Sequence, residues 1–139
     1  LQMGAFQLAT SIRAEDSLSR GVSRFYAEIQ HLQKLVSFTK GALPVLFLID
    51  EIFHGTNSHD RQQGAEALMR ALLERGAAGL ITTHDLALTA LGETDPRVEN
   101  HHFEDTLDDG EITFSYTLLP GVVTRSNAVA LMRLVGLPV

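Results

Sequence analysis

Cysteine is absent from the 139 residues, so neither a disulfide nor a thiolate metal site is available. That absence is compatible with a cytoplasmic protein. No apolar run approaches the roughly 18–20 residues of a membrane-spanning helix. The N-terminus does not read as a signal peptide. Lysine is scarce: Lys34 and Lys40 are the only two, and neither follows a glycine-rich loop. A phosphate-binding loop of the form GxxxxGK followed by Ser or Thr therefore does not occur. Basic charge is not in excess either. The net charge of -6 gives no general footprint for nucleic acid, so any DNA contact would be local or made by another part of a larger protein.

What is present reads as an ordinary globular domain. Hydrophobic residues make up 45% and charged residues 20%, in a chain long enough to bury a core. No repeat, low-complexity tract or interdomain linker interrupts it.

Residues 5–12, "AFQLATSI", read as a short strand. "DSLSRG" (16–21) is polar and turn-like, with helix-capping residues. Over 23–38, Phe25, Ile29, Leu32, Leu35 and Val36 recur at spacings of three and four, which predicts an amphipathic helix ended by Gly41 and Pro44. Residues 45–49 are continuously apolar, as in a parallel strand covered on both faces. A polar loop is expected over 52–60. A second helix over 60–74 carries Ala65, Leu68, Met69, Leu72 and Leu73 on one face. "GLITTHD" (79–85) reads as a strand, and a short helix follows at 86–91. "VENHHFEDTL" and "EITFSYTLLP" flank Asp108-Asp109-Gly110, a hairpin turn signal. A last helix over 126–135 carries Ala128, Leu131, Met132, Leu134 and Val135. This order predicts an α/β domain with a mainly parallel sheet, an antiparallel edge and helices on both faces.

Two polar clusters fall at strand carboxyl ends, where ligands sit in such sheets. The first is Asp50-Glu51. An apolar strand running into two acids is a Walker B pattern, in which the Asp supports Mg²⁺ and a neighbouring Glu polarises water. The same pair equally fits solvated acids capping the next helix. The second cluster is Thr82-Thr83-His84-Asp85. His84 can donate to a phosphate, or it can simply cap the helix that follows. The turn at 16–25 offers free amides at a helix start, as any N-capped helix does. A zinc site has little support, since adjacent strand residues His101 and His102 face opposite ways and His54 and His59 lack a partner pattern.

In order and spacing these pieces resemble the C-terminal ATPase domain of the MutS family of DNA mismatch repair proteins, an ABC-type P-loop NTPase fold. "DSLSRGVSRFYAEI" (16–29) is similar to the family's signature segment. "LFLIDEIFHGTNSHD" (46–60) is similar to its Walker B and D-loop, "TTHD" (82–85) to its His switch, and 100–138 to its closing hairpin and helix. The resemblance implies ATP and Mg²⁺ as cofactors, with Asp50 supporting the metal through water and Glu51 and His84 catalytic. It implies nucleotide contacts from Gly21, Ser23, Asn57 and Ser58, made in trans across a homodimer, and DNA bound through regions outside this chain.

The departures lie in the D-loop and signature. Phe53-His54 stand where relatives have Gly-Arg, Arg61 where Gly is usual, and Arg20 and Arg24 where Ser and Thr are usual. Ser126-Asn127-Ala128 opens the closing helix where Tyr-Gly is common. They point to a divergent branch. A related reading is an ABC-type ATPase of the SMC or recombination class, which Leu18-Ser19-Arg20-Gly21 fits only in part. Another is a non-catalytic dimerisation or regulatory module that keeps the shape. The family's phosphate loop lies N-terminal to the signature, and the chain opens "LQMGAF" without an initiator Met. The expectation is the second half of an ATPase domain, inactive by itself.

Overall fold

The computed structural model describes residues 4–12, 24–53, 56–108, 111–124 and 127–139. They form two compact units, residues 1–88 and 89–139.

The first unit is built on a parallel sheet ordered β1 (Gln7–Ser11), β2 (Val45–Ile49) and β3 (Ala78–Ile81). The register pairs Phe47 with Ala9 on one side and Gly79 on the other, and Ile49 likewise with Ser11 and Ile81. Val45, Phe47 and Ile49 point to one face and are buried, with Ala9 beside them. Helix α1 (Arg24–Phe38) adds Leu32 and Leu35 to this core, and α2 (Ser58–Glu74) adds Ala65 and Leu72. These are the positions that the helical spacing selects. Ile29, on the same predicted stripe, is exposed.

Local chemistry sets the helix ends. The amides of Thr39, Lys40 and Gly41 bond to carbonyls three residues back, so α1 tightens and unwinds before Pro44. Asn57 caps α2: its side-chain oxygen accepts from the Asp60 amide at 2.9 Å. At the other end Gly76 takes φ 73° and its amide returns to the Leu73 carbonyl, which leads the chain into β3.

The second unit holds helix α3 (Leu91–Thr94), two antiparallel pairs and helix α4 (Ala128–Leu134). A 3-10 turn at Leu86–Ala90 precedes α3. Strand β4 (His101–His102) pairs with β7 (Leu119–Pro120), and β5 (Asp105–Asp108) with β6 (Glu111–Phe114). Arg97 donates through Nε and Nη2 to the buried Asp95 carboxylate, at 2.9 and 2.6 Å.

The structure corrects several expectations. The antiparallel pairs form sheets of their own rather than an edge of the parallel sheet. The two long strands predicted over 98–120 are each broken. Phe103-Glu104 separates β4 from β5, and Tyr116, at φ 51°, turns the chain between β6 and β7. Strand β3 ends at Ile81 instead of running to 85. Helix α2 begins two residues early, at Ser58. The sheet face opposite the core carries Leu8, Leu46, Leu48 and Leu80, all exposed or half-buried, so full cover on both faces is not met among the described residues. Helix α4 buries none of its residues despite its apolar spacing. The turn at 16–21 and the hairpin tip at 109–110 lie outside the described residues.

Candidate functional site

The carboxyl ends of β2 and β3 lie side by side, and the ladder continues one residue past each strand. The Asp50 amide donates to the Ser11 carbonyl at 2.8 Å, and the Thr82 amide to the Ile49 carbonyl at 3.0 Å. Because Ile49 faces Ile81, Asp50 comes opposite Thr82. The Thr82 hydroxyl then joins both acids. It donates to Asp50 Oδ1 at 2.6 Å and accepts from the Glu51 amide at 3.1 Å.

The Glu51 side chain meets a different partner. Its Oε1 lies 2.9 Å from His84 Nε2. An ionised carboxylate has no proton to give, so Nε2 is the protonated nitrogen of that ring. The Glu51 side chain is 19% exposed and that of His84 is 88% exposed. An acid with little solvent contact thus sits beneath an imidazole that faces solution.

The backbone reaches this geometry by an uncommon route. Glu51 and Phe53 adopt φ of 53° and 55°, the left-handed region that non-glycine residues avoid. Each such residue costs about 1–3 kcal/mol and persists only where its surroundings fix it. Ile52 between them is buried in the core. The Phe53 amide donates to Glu28 Oε1 of α1. Arg61 of α2 donates to the Phe53 carbonyl at 3.2 Å and to the Thr56 carbonyl at 2.9 Å.

Chemically, the cluster offers an exposed carboxylate, a largely covered carboxylate and an imidazole at the ends of two adjacent strands. No described residue bonds Oδ2 of Asp50. With the Thr82 hydroxyl beside it, Asp50 offers the oxygen donors that a hard divalent cation takes when its other positions go to water or phosphate. Among the described residues no group of three or more His, Asp or Glu side chains could enclose a metal. No helix of the described residues is long and apolar enough to cross a membrane.

Asp50, Glu51 and His84, singled out in the sequence, are therefore brought together. Asn57 and Ser58 are not bonded to that cluster. They open α2, and the Asn57 side chain is committed to Asp60 through both its oxygen and, at 2.7 Å, its nitrogen. Gly21 and Ser23 lie outside the described residues. The sequence alone assigns no role to Thr82 or Glu28, and marks Phe53 and Arg61 only as departures. Thr82 was findable, as a hydroxyl residue at the end of the neighbouring strand.

The family model for MutS domain V matches residues 3–139. The chain belongs to the MutS domain V family. It is similar to the DNA mismatch repair protein MutS of Methanosarcina acetivorans, 36% identical over 135 residues, and to that of Thermus aquaticus, 36% identical over 129. The MutS protein of Lactobacillus helveticus is 34% identical over 133 residues. These matches cover 93–95% of this chain and 15% of each relative, so the chain spans about 15% of the length of the MutS proteins it matches.

Proposed function

We propose that this chain is the C-terminal portion of a MutS-like ATPase domain, with the ABC-type P-loop NTPase fold, in a protein that couples ATP state to DNA binding in mismatch repair or DNA maintenance. The observation that carries this reading is the cluster Asp50–Thr82–Glu51–His84 at the carboxyl ends of adjacent parallel strands. Asp50, oriented by Thr82, would hold Mg²⁺, and the ion would supply charge neutralisation at the phosphate. Glu51 accepts a proton from the attacking water, and its position against His84 keeps it aimed at one point in the crevice. His84 is exposed, and when nucleotide is bound its ring turns so that the Nε2–H passes from Glu51 to the γ-phosphate.

Gly21, Ser23, Asn57 and Ser58 contact the nucleotide held by a second copy, so the working unit is a homodimer through this domain. Two features support a trans role for the last two residues: they stand apart from the Asp50 cluster, and they open a helix, whose free amides suit an anion. DNA is contacted by parts of the protein outside this chain.

The phosphate loop is contributed upstream of residue 1 in this reading. The 139-residue chain is then expected to show no ATP turnover with Mg²⁺, whereas the chain extended through its upstream coding sequence turns ATP over. Steady-state phosphate release from the two proteins tests this. Turnover by the 139 residues alone would contradict it.

A further inference from the structure

The loop that follows Glu51 is gripped from two sides by matched pairs of residues. On α1, Phe25 and Glu28 are three apart and so share a face. The Phe25 ring meets the Phe53 ring edge-on, with centroids 6.2 Å apart, and Glu28 accepts from the Phe53 amide. On α2, Arg61 and Gly64 are likewise three apart. Arg61 donates to the carbonyls of Phe53 and Thr56, and a Cβ on Gly64 would stand 3.1 Å from the Phe53 ring. Phe53 thus has its amide, carbonyl and ring all engaged, in a backbone conformation that its side chain disfavours. Two residues upstream, Glu51 has the same left-handed backbone and faces His84.

We infer that Glu28, Phe53 and Arg61 form a clamp that positions Glu51 for proton transfer, an inference that rests on the ATPase reading above. A left-handed residue turns its side chain off the alternation of the strand. That turn is what aims Glu51 along the crevice while Asp50 stays against Thr82. Loosening Phe53 lets the segment relax to ordinary backbone angles and swings the Glu51 carboxylate away from His84. Phe53 is not among the residues assigned to the nucleotide, so the loss falls mainly on kcat rather than on KM.

The test is steady-state ATP turnover in the upstream-extended protein. Arg61→Ala and Glu28→Ala are expected to lower kcat about ten- to a hundredfold, the scale of a small misplacement of a catalytic group. KM for ATP should stay within about twofold of the parent value, as expected when ground-state binding is intact. Glu28→Gln keeps an oxygen that accepts from the Phe53 amide, and is expected to retain kcat. Gly64→Ala removes no hydrogen bond and favours helix, yet presses on the Phe53 ring, so a folded protein with lowered kcat is expected. Arg70→Ala, which breaks only the exposed Arg70–Glu66 pair elsewhere on α2, is the control with unchanged kcat. Folded Arg61→Ala and Gly64→Ala proteins with parental kcat would overturn the clamp alone. A parent protein without turnover, or one that Glu51→Gln leaves active, would overturn the ATPase reading and the clamp together.

Discussion

At the scale of single residues, Thr82 does the most with the least. One hydroxyl orients the exposed acid and holds the backbone of its covered neighbour. Thr82→Val keeps the shape and removes both bonds. The expected loss is about 1–2 kcal/mol of stability, because each hydrogen bond nets about 0.5–1.5 kcal/mol and the site is open enough for water to replace part of it. Urea unfolding of the 139-residue chain measures it; an unchanged midpoint would mean the hydroxyl is replaceable by solvent. Asp50, Glu51 and His84 were legible because acids and imidazole at strand ends stand out against apolar runs. Thr82 was less so, since its role depends on the β2–β3 register, and register is a tertiary fact. The left-handed angles of Glu51 and Phe53 were not legible. Neither residue type announces that conformation, and the bonds that hold Phe53 come from Glu28, 25 positions away, and Arg61, eight positions away.

At the scale of elements, helices α2 and α4 carry similar apolar spacing and have opposite fates. Leu72 is completely buried in the core of the first unit, while Leu134 on α4 is half-exposed. Leu72→Ala leaves a cavity and is expected to cost about 2–5 kcal/mol. Leu134→Ala is expected to stay within about 0.5 kcal/mol, as for surface sites generally. Comparing the two denaturation midpoints checks the assignment, and equal losses would contradict it. Periodicity revealed both helices but could not say which one has a partner to bury against. The same limit explains the strands. The turn signal at Asp108-Asp109-Gly110 predicted two long strands over 98–120, and the turn at Tyr116 and the break at Phe103-Glu104 come from backbone geometry that such a signal does not encode. Parallel strand β2 was the most legible element, because a continuous apolar run ending in acids leaves few other structures.

At the scale of the whole molecule, membership in the MutS domain V family rests on a match across residues 3–139, and the α/β order was readable before any comparison. One face of the parallel sheet is packed by α1 and α2; the other shows Leu8 and Leu80 to solvent. Glu51, held against His84 by the loop behind it, is proposed here as the general base of an ATPase site. The most direct measurement is ATP binding and turnover by the Glu51→Gln variant of the upstream-extended protein. Loss of a general base predicts turnover lowered by about 10²–10⁴-fold with ATP binding retained, since the amide keeps the shape and removes the proton acceptor. Turnover at the parental rate would contradict the claim.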